Sequence, residues 1–229
     1  DVKPFTATVG AQTNSAIQVL LVFACACLWV GLSGSLQEIV KEKAIYTRER
    51  AVNLKIRAYL GAKVFVLSTL AIVQAGFIAH AIAHLFVAPT NPLMTWESGM
   101  ALASLLTLVA SFSLGLLVSA VVGNGSQANS LLPLLLIPQI VFSGALFKLD
   151  GIAKTISYFT ISRWSIGAFG TIADVNTLAT IVTDLPFPFG VAYSRSWSNL
   201  SFSLSMLLVH TGVYILISAW LLSKKDIVR

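Results

Sequence analysis

Long uncharged stretches alternate with short charged ones along this chain of 229 residues. Four stretches lack Asp, Glu, Lys and Arg and are rich in apolar residues: 4–37, 64–96, 98–147 and 196–223. Each exceeds the roughly 20 residues with which a helix crosses about 30 Å of hydrocarbon. The third is long enough for two crossings, with a Gly-Asn-Gly-Ser turn at 123–126 between them. The pattern therefore predicts five transmembrane helices, at 13–36, 63–87, 98–122, 129–147 and 201–223.

Composition supports the same fold class. Charged residues make up 10% of the chain and hydrophobic residues 56%, whereas an average soluble domain has about 25% charged residues. Water is therefore not the solvent of most of the surface, and we expect an all-α, polytopic membrane protein. Cys25 and Cys27 both fall in the first predicted helix, where they point to different faces. We interpret them as small apolar residues rather than as a disulfide or metal site.

The positions of the charges predict the topology. Between residues 37 and 63 seven basic residues stand against three acidic ones, so this loop is predicted to be cytoplasmic. Lys224, Lys225 and Arg229 follow the last helix and place the C-terminus on the cytoplasmic side as well. Five helices that end inside begin outside, and no export signal is visible. We therefore expect a further helix upstream of Asp1.

The segment 148–195 is long for an outer loop. Its apolar runs are too short to span a membrane, and glycines and prolines interrupt it, at Gly151, Gly167, Gly170, Pro186 and Pro188. Irregular backbone is tolerated at membrane depth only when protein buries it or when it lines a cavity. We expect short re-entrant helices packed on the outer ends of the spans. The alternative is a small extracellular cap.

The cytoplasmic segment 38–57 mixes charges of both signs with apolar residues. This pattern is typical of an amphipathic helix that lies against the membrane or against a partner. The alternative is an ordinary basic juxtamembrane loop attracted to anionic lipid.

The order of residues in this segment resembles the type-two ABC permeases of the White, or G, subfamily. The matching residues are Glu38, Glu42-Lys43, Arg48-Glu49-Arg50 and Tyr59-Leu60-Gly61-Ala62-Lys63. A second match is Val-Phe-Ser-Gly-Ala-Leu-Phe at 141–147, followed by Ser162-Arg163-Trp164 and an aromatic and small-residue stretch to Asn176. The resemblance extends over essentially the whole chain, which would supply helices two to six of a six-helix permease.

The resemblance implies that the segment 38–57 is a coupling helix on a nucleotide-binding domain. The implied coupling residues are Glu38, Glu42, Lys43, Arg48, Glu49 and Arg50. No G-x-x-x-x-G-K-[ST] phosphate-binding loop occurs in this chain, so no catalytic residue and no cofactor are predicted in it. ATP and Mg would be bound by the associated nucleotide-binding domain, which the resemblance places on the N-terminal side as a fusion.

The resemblance also implies that two permease copies pair around a translocation path, lined here by Trp29, Ile137, Ile140, Val141 and Phe142. An outer gate is expected at Ala145, Leu146 and Phe147, although family members have two bulky residues where Ala145-Leu146 stand. Gly31 takes the place of an aromatic clamp of some drug exporters, which favours a lipid-like or otherwise amphipathic substrate.

Other residues do not favour a different chemistry. His80 and His84 have a spacing that suits a metal if a third ligand converges, and Glu97 is the nearby carboxylate. Hydrogen bonds between helices are the alternative use of such a pair. Ionisable residues inside the spans are too few for a membrane-embedded enzyme. The sequence thus predicts an exporter permease in a plasma or cell inner membrane, in contact with lipid and with no nucleic acid; a non-transporting anchor or assembly subunit is the alternative.

Overall fold

The computed structural model describes residues 9–86, 88–89, 93–146, 149–175 and 193–227. In this part of the chain all regular structure is helical, which confirms the all-α class. A short 3₁₀ turn, Val40–Glu42, separates the first two of eight α-helices. These are α1 (Val9–Ser35), α2 (Lys43–Ala51), α3 (Ile56–Leu85), α4 (Trp96–Val121), α5 (Gly125–Val141), α6 (Gly151–Ser157), α7 (Ile161–Ile172) and α8 (Trp197–Ile227).

Four of the described helices, α1, α3, α4 and α8, are long and apolar enough to cross a membrane. They correspond to four of the five predicted spans and confirm that the protein is polytopic. Helix α5 has 17 residues and contains Pro133 and Pro138. At 1.5 Å per residue it is about 25 Å long, less than the roughly 30 Å of a hydrocarbon core. A complete crossing by α5 therefore stays a prediction.

Two helix boundaries differ clearly from the sequence-based ones. Helix α3 begins at Ile56 instead of residue 63, so Lys63 lies inside the helix. Helix α5 ends at Val141 instead of residue 147. Ser143 and Gly144 explain the second difference, because Gly144 takes a φ of +79° and the Ser143 hydroxyl accepts a hydrogen bond from the Ala145 N–H at 3.2 Å. Such a left-handed backbone and side-chain cap are typical of a helix end.

Helix α4 forms the centre of the bundle and packs against α1, α3, α7 and α8. Small residues let α1 approach it closely. A Cβ on Gly31 would lie 2.6 Å from the Ser111 Cβ, and a Cβ on Gly115 would lie 1.9 Å from the Ser35 Oγ. Close backbone approach through small residues is the usual way in which helices associate in lipid, where apolar burial alone gives little drive.

Hydroxyl side chains on the buried face of α4 bond to its own backbone. Thr107 donates to the Ala103 carbonyl, Ser111 to the Thr107 carbonyl and Ser113 to the Val109 carbonyl, each at 2.7 Å. These polar groups are therefore satisfied within one helix.

The outward faces of the long helices are apolar. Phe65 and Phe77 on α3 are 74% and 73% exposed, and Leu216 on α8 is 71% exposed. Exposed apolar surface of this extent is costly in water and is expected where lipid surrounds the protein.

The segment 148–195, which is predicted to be an outer loop, contains α6 and α7. Every residue of α7 except Arg163 is buried, and the helix packs against α8, α4 and α1. Its 12 residues are about 18 Å long, too short to cross. The re-entrant interpretation and the extracellular cap both stay predictions. Residues 176–192 of this segment, with Pro186 and Pro188, lie outside the described residues.

Candidate coupling site and translocation surface

The chain between α1 and α2 is fastened to the end of α4 by one hydroxyl. The backbone N–H groups of Ile39 and Val40 both donate to the Ser119 Oγ, at 2.9 and 3.0 Å. Ser119 is 1% exposed, so this oxygen satisfies two donors that water does not reach. Next to it the Gln37 side-chain amide donates to the Asn129 Oδ1 of α5 at 2.7 Å. The turn that leads into α2 is thus fixed to both α4 and α5.

A cluster of charges, hereafter the Lys63 clamp (Glu38, Glu42, Tyr59 and Lys63), joins the same turn to α3. The Lys63 Nζ lies 2.6 Å from the Glu42 Oε1 and 3.0 Å from the Glu38 Oε2. The Tyr59 hydroxyl donates to the Glu42 Oε2 at 3.3 Å. The Lys63 side chain is only 15% exposed, so the pairing is partly shielded from water and stronger than an exposed ion pair. The clamp therefore joins the turn before α2 to the first part of α3.

The carboxyl of Glu38 shows the effect of this cluster. Burial alone would raise its pKa, but hydrogen bonds from Lys41 and Lys63, with their positive charges, outweigh burial and lower the pKa. Glu38 is thus held ionised, in contact with both cations.

Helix α2 has two faces: an inner face that packs against the rest of the protein, and an outer face that is exposed. On the inner face Tyr46 is 7% exposed, and its ring centroid lies 4.8 Å from that of Tyr59 on α3. Also on this side the Arg50 guanidinium donates to the Leu54 carbonyl just after the helix. The outer face exposes four residues at helical spacing, Ile45, Arg48, Glu49 and Val52, of which the last follows the helix. A helix anchored on one side thus presents a mixed apolar and charged surface on the other.

The six residues that the sequence predicted for coupling separate into two groups in the structure. Glu38 and Glu42 belong to the Lys63 clamp, and Arg50 bonds to the segment itself. Lys43, Arg48 and Glu49 are exposed, and among the described residues their side chains have no ion-pair partner. A partner could therefore contact these three directly, whereas the other three hold the segment in place.

Sequence reasoning did not assign roles to Tyr46, Ser119 and Lys63. The sequence-level signal for Lys63 was its spacing of four from Tyr59, which puts both on one face of a helix. It was missed because Lys63 was placed at a membrane boundary instead of inside α3. Tyr46 and Ser119 gave no signal, since a single polar residue in an apolar run does not indicate its partner.

The residues predicted to line a path lie on α1 and at the end of α5. Trp29 is 55% exposed and Ile137 is 59% exposed, while Ile140, Val141 and Phe142 are partly exposed. The opposite faces of the two helices, with Leu28 and Leu136, are buried in a shared core. Helices α1 and α5 thus leave apolar side chains exposed. The five residues predicted to line the path are called the translocation surface below, and their role stays a prediction: Trp29, Ile137, Ile140, Val141 and Phe142.

Gly31 does not face that surface. It packs against Leu108, Ser111 and Phe112 of α4, where a larger side chain has no room. In this chain a ring has no room at position 31, and the comparison of Gly31 with an aromatic clamp stays a prediction. The lipid-like substrate has to be argued from the exposed surface instead.

Two of the three predicted gate residues are described. Ala145 is partly buried and packs against the core, and Leu146 is 46% exposed, both in the turn after α5. Phe147 lies outside the described residues.

The histidine pair comes close to the predicted carboxylate but forms no metal site. The His80 Nδ1 lies 3.6 Å from the Glu97 Oε1, and the His80 and His84 ring centroids are 4.2 Å apart. Both His80 and Glu97 are more than 60% exposed. Within the described parts of the chain no group of three His, Cys, Asp or Glu residues could hold a metal ion.

Three long apolar helices pack around a fourth, the hydroxyl-rich α4, and the clamped helix α2 lies between the first two of these spans. This arrangement defines a multi-spanning membrane protein. Comparison with protein families gives this class a name: residues 4–173 match the ABC-2 type transporter family, and the chain belongs to that family. The chain is the membrane, or permease, part of such a transporter.

A curated relative supports the assignment. The chain is 28% identical over 221 residues to the ABC transporter ATP-binding/permease protein Rv1747 of Mycobacterium tuberculosis (strain ATCC 25618 / H37Rv). The match covers 94% of this chain and 25% of the relative. The chain thus spans about a quarter of the length of that relative.

Proposed function

We propose that this chain is the permease half of an ATP-driven exporter, in which α2 receives force from a nucleotide-binding domain. The observation that carries the proposal is the exposed face of α2, with Ile45, Arg48, Glu49 and Val52. A charged loop that only binds a lipid surface does not require contacts to the helix bundle such as those of Tyr46 and the Lys63 clamp. A force-bearing contact does need one, since a loosely attached helix would move without moving the spans.

The contacts of the turn before α2 define which spanning helices would receive the force. The Lys63 clamp connects the turn before α2 to α3, and Ser119 connects it to α4. A displacement of α2 would therefore move α1, α3 and α4 as a unit. Transport then requires that the substrate bind the inward and outward states with different affinity, because a ligand bound equally by both shifts nothing.

The proposed substrate is lipid-like or amphipathic. Neither α1 nor α5 contains a charged residue, and the translocation surface is formed by apolar side chains. A highly charged solute would find no partner there and would lose its hydration. A second permease copy, placed against the same open surface, would complete the path; we propose a dimer for this reason.

The proposed energy source for transport is a nucleotide-binding domain that binds ATP and Mg. The relative is by name an ATP-binding/permease protein of which this chain matches a quarter, so an attached ATPase domain is the simplest arrangement here too. In the proposed orientation α2 and the C-terminus are cytoplasmic, in a plasma or cell inner membrane. The predicted first helix and N-terminal fusion belong to the same proposal.

The test reverses the two exposed charges of α2 together, Arg48→Glu with Glu49→Lys, in the assembled full-length transporter. We expect substrate-stimulated ATP hydrolysis to fall about tenfold or more, since charge pairs across such a contact contribute about 1.5 kcal/mol or more. Arg50 is left intact because its bond to the Leu54 carbonyl stabilises the segment itself.

The matched control is Lys154→Glu on the outer helix α6, an exposed cation far from the proposed contact in the chain's topology. It should leave stimulation unchanged. Full stimulation in the α2 reversal, with normal assembly, would contradict the coupling role and favour the anchor or assembly subunit.

A further inference from the structure

Arg163 is the one residue of α7 that is not buried. It lies beside the end of α5, because the start of α7 is bonded there: the Ser162 N–H donates to the Gln139 Oε1 at 3.1 Å. A Cβ built on Gly144, in the turn after α5, would lie 3.8 Å from the Arg163 Nη1. The guanidinium is therefore held next to the last residues of α5 and the turn that follows, where three of the five residues of the translocation surface lie, at 140–142.

Aromatic rings hold the guanidinium from one side. Its Cζ lies 4.8 Å from the centroid of the Tyr158 ring and 5.8 Å from that of the Trp164 ring. The Trp164 indole N–H donates to the Tyr158 carbonyl at 3.0 Å, which links the two aromatic residues. A guanidinium stacked on a ring keeps its N–H donors, since these lie in the plane of the group. The rings therefore position Arg163 without using its hydrogen-bonding capacity.

Arg163 differs from the other partly buried cations in the part of the chain that the structure describes. Lys63 pairs with two glutamates, and Arg50 donates to the Leu54 carbonyl. To the described residues, the Arg163 guanidinium forms no ion pair and donates no hydrogen bond. A charge that has lost part of its water without an oxygen partner gains strongly from an anion. The fork of a guanidinium matches the oxygens of a phosphate or a carboxylate.

The neighbouring surface determines what else can bind. Ile140, Val141 and Phe142 are partly exposed and uncharged. A small hydrated anion would gain only the contact to Arg163, whereas an amphiphile would also remove its apolar chain from water against these side chains. The site therefore suits one anionic head joined to an apolar chain.

We infer that Arg163 binds the phosphate or carboxylate head of an anionic amphiphile, whose chain lies against Ile140, Val141 and Phe142. Binding of such a molecule does not depend on transport. That it is the transported substrate rests on the proposed function, and it narrows the proposed substrate from any amphiphile to an anionic one. Arg163 is then a specificity-determining residue.

The test uses the full-length transporter in phosphatidylcholine nanodiscs without ATP. Two photoactivatable probes have the same diazirine-bearing dodecyl chain, one with a phosphate head and the other with a neutral glycerol head. Cross-links are mapped by mass spectrometry. We expect the phosphate probe to label residues 140–146 at an about tenfold lower concentration than the glycerol probe, because only the phosphate gains the bond to Arg163. Equal labelling by both probes would overturn the inference.

Two variants separate anion binding from a structural role of Arg163. Arg163→Gln should lower labelling by the phosphate probe about tenfold and leave labelling by the glycerol probe unchanged. Equal loss for both probes would mean that Arg163 only supports the fold. Arg163→Lys keeps the charge without the planar fork and should retain part of the preference for phosphate. It decides the case where Arg163→Gln does not fold, and an unchanged preference in it would contradict recognition by the guanidinium.

The matched control is Lys154→Gln, which removes an exposed cation of α6 in the same segment. It should keep the preference for the phosphate probe, and an equal loss would indicate general attraction to a basic surface instead of a site at Arg163. Inorganic phosphate separates an amphiphile from a free ion. It should not displace the label, and displacement by it would overturn the amphiphilic assignment.

A transport arm distinguishes this inference from the proposed function. In proteoliposomes with ATP, Arg163→Gln should lower transport of the phosphate probe relative to that of the glycerol probe. If neither probe is transported while labelling persists, the proposed function fails and the site stands. If both probes are transported and Arg163→Gln changes neither labelling nor their ratio, the inference fails and the proposed function stands.

Discussion

The two ends of the bundle are fastened by different chemistry. Near α2 the Lys63 clamp holds the preceding turn through partly exposed charges. Helix α7 is held by uncharged, buried hydrogen bonds, such as that between the Thr107 and Ser165 hydroxyls at 2.8 Å. Charge pairs near water tolerate displacement because water replaces a lost partner, whereas a buried hydroxyl has no replacement. The turn before α2 combines both kinds of attachment, because the buried Ser119 hydroxyl also holds it, whereas the bond named for α7 is uncharged. The two regions should therefore differ in how their stability depends on pH.

The largest expected loss of stability comes from Gln139→Leu, which removes a hydrogen bond that holds α7. The Ser162 N–H donates to the Gln139 Oε1 at 3.1 Å, and Ser162 is fully buried. Loss of this acceptor leaves a buried N–H unpaired, which costs about 1–3 kcal/mol, and a misplaced α7 adds to that cost. We expect a clear drop in melting temperature in detergent. Gln18→Leu, at an exposed position of α1, is the control that should not change it.

A smaller loss of stability is expected for Lys63→Met, which breaks the Lys63 clamp. The variant leaves Glu38 and Glu42 facing each other without their shared cation. For a partly exposed site, this should lower the free energy of unfolding by about 1–2 kcal/mol. Combining it with Glu42→Gln should recover part of the loss, because the remaining repulsion then disappears. A thermal-unfolding double-mutant cycle measures this coupling, and purely additive losses would contradict the clamp.

The smallest expected effect is a difference in how the stability of the Glu38 and Thr107 variants depends on pH. The folded-state pKa of Glu38 lies below its ordinary value, so its contribution to stability is present above the ordinary pKa and is lost as the pH falls through the folded pKa. Wild type should therefore be more stable than Glu38→Gln at neutral pH and converge with it in acid. Melting curves of Thr107→Val, on the outer side, should differ from wild type equally at both pH values.

Much of the fold follows from the uncharged runs. Helices α1, α3, α4 and α8 lie where the absence of charge predicts them, because water-exposed charge is the strongest obstacle to a span. The predicted start of α3 at residue 63 is too late, because the prediction treats Lys63 as a membrane boundary whereas the helix begins at Ile56. A lysine neutralised by two glutamates does not end a helix, and that pairing is visible only in three dimensions.

The candidate site was less predictable than the helices. Sequence spacing could not tell that Gly31 faces α4 or that Arg50 points back to the Leu54 carbonyl, because both depend on how a helix is rotated about its axis. Nor could it show that α5 ends at Val141, since the left-handed Gly144 determines this end. What the charge pattern did identify was the segment itself, which contains the exposed Arg48 and Glu49.

The hydroxyls of α4 have a consequence for how the protein is made. During synthesis α1 and α3 leave the ribosome before α4, while α7 and α8, its later partners, do not yet exist. Thr107, Ser111 and Ser113 already bond to carbonyls of their own helix. Helix α4 can thus enter the bilayer with these three hydroxyls already paired, before its neighbours are in place. The polar face that later fits against α1 and α7 does not delay insertion.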